Sequence, residues 1–273
     1  MAGPFPPFEP HGQGGPRIRE IPLRMVLPNL ITVLAICAGL TGIRLAYDNR
    51  FETAVIMVLA AAFLDGIDGR VARALKSTSK FGAQMDSLAD IVNFGVAPAM
   101  VLYAYLLDQA HGIGWIAVLL FVIASGLRLA RFNVMAEGPH KTSWQSDYFV
   151  GVPAPAGAFI VLLPVYLGFL GFQVGAAVAY GASCYTVMVA LLLVSRLPVY
   201  SGKSAGAKIR RDMVMPLILL VVLYVLLLAN FTWETLAAST ILYLGFLPLS
   251  MRAYARRAEQ EESRKDHIPK THG

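Results

Sequence analysis

The sequence predicts an all-α fold, a polytopic membrane helical bundle with about eight transmembrane helices, on three observations. Of the 273 residues, 56% are hydrophobic, and the mean hydropathy of +0.60 is too apolar for an ordinary soluble domain. Apolar runs recur near 28–46, 51–70, 87–107, 113–131, 152–171, 176–195, 213–230 and 233–250, each close to the roughly 20 residues that cross the hydrocarbon core as a helix. Lys and Arg are also unevenly placed. Of 23, all but Arg44 and Arg50 fall in the tail through Arg24, the 70–80 loop, 128–141, 196–211 or the C-terminal tail. By the positive-inside rule both termini are cytoplasmic. The net charge of +6 then reflects topology and implies no nucleic-acid partner.

The chain divides accordingly into a Pro- and Gly-rich cytoplasmic tail, 1–24, a transmembrane catalytic domain, 25–252, and a mixed-charge cytoplasmic tail, 253–273. The first segment lacks an apolar core, so it reads as disordered tail and not as a cleavable signal peptide. Cys37 and Cys184 both lie inside apolar runs, which argues for packing and against a disulfide framework or a metal site.

The first helix opens Leu27-Pro28-Asn29-Leu30-Ile31-Thr32, with Pro near a helix start as expected. Asn29 and Thr32 share a face there, open to a nucleotide or to a capping role. The second and third helices carry charge that the bilayer disfavours. Asp65 and Asp68 are three apart, Asp86 and Asp90 four apart, so each pair projects from one helix face. With a 1.5 Å rise, Asp65 and Asp68 lie about 21 and 26 Å down the second helix from Phe51. Asp90 and Asp86 lie about 27 and 33 Å down the third from Asp108. All four reach the cytoplasmic edge of a core about 30 Å thick. Asn93 extends the polar face beyond Asp90, and Pro98 is placed to kink the helix.

The fourth helix ends Gly126-Leu127-Arg128-Leu129-Ala130-Arg131-Phe132-Asn133, and the fifth begins Gly151-Val152-Pro153-Ala154-Pro155-Ala156. Arg128 and Arg131 lie on one face and suit a phosphate or a carboxylate, although arginine at a cytoplasmic helix end is also routine. Lys203, in the 196–211 loop, suits a phosphate or simply follows the positive-inside bias.

Like-charged carboxylates about 6 Å apart cost roughly 3 kcal/mol per pair at an effective dielectric near 20. Four of them need cations. Oxygen donors with no nearby His or Cys suit hard ions, Mg²⁺ or Mn²⁺ before Zn²⁺, and two helices each offering a pair favour two ions. Gly66 and Gly69 weaken a helix interior by about 1 kcal/mol each and leave backbone open where a side chain would block a large ligand. Arg73 follows at the cytoplasmic end of the same helix, placed to meet a phosphate. Metal plus arginine implies a phosphorylated substrate, a pyrophosphate above all. Aspartates of a cytoplasmic loop, or the cation pathway of a transporter, are the competing readings.

The spacing Asp65-x2-Asp68-Gly69-x2-Ala72-Arg73-x8-Gly82-x3-Asp86-x3-Asp90 fixes eight positions over 26 residues and resembles the complete signature of the CDP-alcohol phosphotransferase family. The resemblance implies an integral membrane enzyme that transfers a phosphatidyl or related group from a CDP-linked donor to an alcohol. It implies that Asp65, Asp68, Asp86 and Asp90 hold metal and that Asp90 is the catalytic base. Gly69, Ala72, Arg73 and Gly82 would contact the CDP group, joined by Asn29 and Thr32 of a similar Pro-Asn segment. Three stretches, 86–99, 128–133 and 151–156, resemble the phosphatidylserine synthase branch. That branch implies CDP-diacylglycerol as donor, CMP release and L-serine as acceptor, with Arg128, Arg131, Asn93 and Lys203 as candidates for the acceptor or phosphate. Glycerol 3-phosphate and inositol are the rival acceptors. A homodimer in the bacterial inner membrane, its site facing the cytoplasm, completes the expectation.

Overall fold

The computed structural model describes residues 23–77, 79–137, 148–195, 198–200 and 211–266. The tail 1–22, Lys203 and the last seven residues lie outside them. Each of the eight apolar runs is a helix or a helix pair. In chain order these are α1 (Leu23–Tyr47), α2 (Phe51–Ala74), α3 (Lys80–Asp90), a π-helical turn (Ile91–Val96), α4 (Ala97–Tyr105), α5 (His111–Glu137), α6 (Ala154–Val161), α7 (Leu163–Phe169), α8 (Ala176–Val194), α9 (Arg211–Asn230) and α10 (Thr232–Asp266). Helices α3 and α4 with the π turn form one rod. Two three-residue strands, β1 (Tyr148–Val150) and β2 (Pro198–Tyr200), pair antiparallel beside the bundle.

Among the described residues five helical stretches are long and apolar enough to cross a membrane: 26–47, 81–105, 107–135, 176–194 and 213–230. The protein is an integral membrane protein of the all-α polytopic class. The other three runs depart from that standard for visible reasons. Helix α2 carries Glu52, Asp65, Asp68, Arg70 and Arg73. The fifth run is split at Leu162 because Pro164, in the first turn of α7, cannot continue the preceding helix. Helix α10 mixes polar residues into its apolar stretch and runs on as a helix to Asp266.

Helices α1 and α2 form a tight antiparallel hairpin. Ala35, Ala46, Ala54 and Ala61 are buried, and a Cβ on Gly42 would sit only 3.0 Å from the Ala54 carbonyl. Small residues at this spacing let two backbones approach and gain dispersion contact where lipid supplies no hydrophobic drive. The reversal uses Asn49 at φ 58, a residue type that tolerates the left-handed region. At the same end of the bundle, aromatic contacts join α2, α4, α7 and α10. Tyr105 stands edge-on to Phe51 at 5.0 Å and to Phe169 at 5.5 Å, and Phe169 meets Trp233 at 4.6 Å.

Helix boundaries differ from the apolar runs where function intrudes. Pro28, expected at a helix start, lies inside α1. Helix α3 begins at Lys80, seven residues before its apolar run, because Ser79 caps it by accepting a hydrogen bond from the Gly82 N–H at 2.9 Å. Pro98 follows the π turn, in which the Ala97 N–H reaches back five residues to Val92 O. The expected proline irregularity is therefore met by a widened turn just upstream.

Candidate functional site

At the end of the bundle where α2 leaves and α3 enters, Asp65 and Asp68 of α2 meet Asp86 of α3. One carboxylate oxygen from each lies within 4.8 Å of the other two. The α1–α2 hairpin fixes the height of the first pair, and the Ser79 cap fixes the start of the helix that delivers the third. Asp68 is 2% exposed and Asp65 half-buried. Among the described residues no Lys or Arg makes a salt bridge to any of them, the one such pair being Arg44–Asp48. Three converging carboxylates without a salt bridge among the described residues, and with no His or Cys in the group, form a donor set suited to a hard divalent ion. The buried Asp65 Oδ1 completes no hydrogen bond, which leaves it available as a ligand.

Asp90 is outside that tightest group but adjoins it. It lies one turn further along α3 than Asp86 and interacts with both Asp65 and Asp86 and, across the site, with Arg128. Asp68 is held on both oxygens: the Thr32 hydroxyl donates to Oδ2 at 2.6 Å, and the Gly69 N–H donates to Oδ1. Thr32, 4% exposed, thus spends its proton on a carboxylate, where the sequence paired it with a nucleotide.

Beside the carboxylates opens a cleft of about 200 Å³, lined by Asn29, Thr32, Asp68, Gly69, Ala72, Arg73, Gly82 and Asp86 among others. The sequence-derived nucleotide residues are therefore brought to one wall. At Gly69 a Cβ would meet only Arg73 Nη1, at 3.5 Å, so the missing side chain opens space toward the cleft. Gly66 does not line it; its carbonyl accepts from Arg70 Nη1 at 2.7 Å instead. Gly82 is tighter, for a Cβ there would lie 3.1 Å from both Asn29 Oδ1 and Ser79 Oγ. Pro28, Ser77, Ser79 and Ala83 also line the cleft. Of these Pro28 belongs to the Pro-Asn segment already noted, and Ser79 carries a further signal, a serine three residues before Gly82 at a helix start.

The arginines at the end of α5 are committed in part. Arg128, 9% exposed, donates from Nε to Val152 O at 2.7 Å and stacks over Phe132 at 5.9 Å. Arg131 Nη1 donates to Val194 O at 2.8 Å. They tie α5 to the start of α6 and the end of α8, around a Gly151 whose φ of +79 suits glycine. Each guanidinium has five N–H donors, so both keep donors beyond these bonds. Asn133 Nδ2 donates to Ser87 Oγ at 3.0 Å and so docks α5 beside the carboxylate-bearing helix. Asn93 is completely buried and lines no part of the open cleft. Lys203 lies outside the described residues.

Comparison with known proteins gives the family of the chain. A family model described as CDP-alcohol phosphatidyltransferase matches residues 25–194, and a second, CDP-alcohol phosphatidyltransferase 2, matches 212–248. The chain is 44% identical over 188 residues to the CDP-diacylglycerol--serine O-phosphatidyltransferase of Mycobacterium leprae, covering 67% of this chain and 61% of that one. It is 48% identical over 145 residues to the protein of the same name from Mycobacterium bovis, covering 53% of this chain and 50% of that one. For the one from Helicobacter pylori strain J99 the figures are 44% over 143 residues, 52% and 58%. The chain thus spans between half and three fifths of the length of these curated relatives.

Proposed function

The chain belongs to the CDP-alcohol phosphatidyltransferase family, and from that premise we propose that it transfers a phosphatidyl group from CDP-diacylglycerol to the hydroxyl of L-serine, giving phosphatidylserine and CMP. The observation that carries the reading is the convergence of Asp65, Asp68 and Asp86 to within 4.8 Å on the edge of a cleft lined by Gly69, Arg73 and Gly82. The serine acceptor draws its support from the relatives' names and from the charge of Arg128 acting on Asp90.

Asp65, Asp68 and Asp86 would hold Mg²⁺ or Mn²⁺, with Asp90 near enough to share a second ion. A divalent ion held there would supply positive charge against the donor pyrophosphate and the CMP leaving group. The chain's own groups do the rest. Thr32 and the Gly69 N–H keep the Asp68 carboxylate from rotating. The glycine at 69 lets the nucleotide lie against the backbone of α2, and Arg73 offers a planar pair of N–H donors to a phosphate. Asn29, packed against Gly82, presents an amide to the nucleotide from α1.

An aliphatic hydroxyl is a poor nucleophile until a positioned base takes its proton. Asp90 fills that role: it sits beside the cluster but outside its tightest group, and the Arg128 charge lies across from it. Arg128, still holding free N–H donors, and Arg131 would take the serine carboxylate, placing the hydroxyl toward Asp90. A site at the cytoplasmic end of α2 and α3 admits a water-soluble amino acid while the acyl chains stay in lipid. The homodimer belongs to this same proposal and is read by cross-linking in membranes.

Purified protein supplied with CDP-diacylglycerol and Mg²⁺ or Mn²⁺ is offered serine, glycerol 3-phosphate or inositol in parallel, and CMP and lipid product are measured. Turnover with serine, abolished by chelator and restored by either ion, is expected. Inactivity with serine alongside turnover of glycerol 3-phosphate would reject the acceptor. Cation flux without CMP release would reject the enzyme.

A further inference from the structure

We propose that Asn93 is a positioning residue for the Asp65 carboxylate, held against it by the π turn of the third span and by the absence of a side chain at Gly39; this rests on the reading that Asp65 helps to hold a divalent ion. Asn93 is 0% exposed, yet neither Oδ1 nor Nδ2 completes a hydrogen bond. Asp65 Oδ1 is buried and in the same condition. The π turn that carries Asn93 packs against α2, which carries Asp65, and the amide acts on the carboxylate. Asn93 lines a small void with Phe94 and with Val58 and Ala62 of α2, the latter one turn before Asp65.

A buried amide with no hydrogen bond is a cost that an apolar side chain of the same size avoids. Its retention beside a candidate metal ligand therefore calls for a use. The backbone supplies the means. Asn93 is the third residue of the π turn, and this local widening of the helix, a feature frequent at functional sites, changes the direction of side chains beyond Asp90. Across from it, a Cβ on Gly39 would come within 2.7 Å of Asn93 Oδ1, so α1 approaches the amide as only glycine permits. With Oδ1 turned to Gly39, Nδ2 is the atom left to face Asp65.

An amide is neutral at every pH of interest and donates without adding charge. When one Asp65 oxygen is engaged by an ion, Nδ2 is placed to donate to the other and fix the plane of the carboxylate. Partners of this kind, which orient a ligand without touching the metal, commonly change metal affinity by 10- to 100-fold. The sequence grouped Asn93 with the acceptor residues; its complete burial places it behind the carboxylates instead.

The test is Mn²⁺ binding to the purified full chain in lipid nanodiscs without substrate, read from the EPR signal of free Mn²⁺, together with the melting temperature. Wild-type binding that is lost in Asp65→Asn confirms the premise; absence of wild-type binding defeats the metal reading itself. Given the premise, Asn93→Leu is expected to weaken Mn²⁺ binding about tenfold or more while melting no lower than wild type without metal. Gly39→Ala, which presses on Oδ1, is expected to weaken it severalfold, and the double variant to be no weaker than Asn93→Leu alone. Unchanged Mn²⁺ affinity in both single variants, or additive losses in the double, would overturn the proposal. If Asn93→Leu does not fold, Gly39→Ala decides, and wild-type affinity in that variant overturns it.

Discussion

Replacing Thr32 with valine removes one O–H group and almost nothing else, since the two side chains have nearly the same shape. In the structure that O–H lies 2.6 Å from Asp68 Oδ2, between residues 4% and 2% exposed. A hydrogen bond to a charged group contributes about 1.5–3 kcal/mol, which at 1.36 kcal/mol per decade is roughly 10- to 150-fold in an equilibrium constant. Two features favour the low end. The other oxygen of Asp68 keeps the Gly69 N–H, and the Thr32 hydroxyl is also 3.1 Å from Pro28 O, so its proton is shared. The expected result is an increase of about tenfold in the Mn²⁺ concentration that half-activates CMP release, with kcat recovered at saturating metal. The assay is a Mn²⁺ titration at fixed, saturating CDP-diacylglycerol and serine. An unchanged metal curve with a raised KM for the donor would refute the reasoning, because it would return Thr32 to the nucleotide.

Asp90→Asn should abolish transfer while binding of CDP-diacylglycerol survives; equilibrium binding of the labelled donor checks this, and joint loss of binding and chemistry would count against the base. Gly82→Ala sets a methyl 3.1 Å from both Asn29 Oδ1 and Ser79 Oγ, so the donor KM should rise severalfold with little change in melting temperature. A donor KM equal to wild type would show that the Asn29 amide is not used. Arg128→Lys keeps the charge but loses the Nε donor to Val152 O, which should lower the melting temperature and raise the KM for serine more than that for the donor. If only the melting temperature moves, Arg128 is a brace between α5 and α6 and nothing more.

The carboxylates are legible in the sequence because charge inside an apolar run is conspicuous and helical periodicity dictates which residues share a face. Asp65 and Asp68 share one face of α2, and with Asp86 of α3 they converge in the structure. Periodicity within one helix says nothing, however, about which neighbour a side chain meets across an interface. Thr32 was placed on the correct face of α1, but its partner, Asp68, is 36 residues away. Arg128 and Arg131 were read as ligand contacts, and their bonds to the Val152 and Val194 carbonyls depend on how α6 and α8 end against α5. Boundaries were misplaced where hydropathy and helix formation part company. The first two turns of α3 are polar enough to read as loop, yet the Ser79 cap makes them helix. The split at Leu162 was signalled by Pro164, inside a run too apolar to suggest a break.

The π turn at Ile91–Val96 amounts to one surplus residue in an otherwise continuous rod. Deleting a single residue there would restore the α-helical period and swing the segment with buried Ala97, Val101 and Leu102 by about 100° relative to Asp86 and Asp90. The rod thus turns its aspartates and its packed far half to azimuths offset by that one residue.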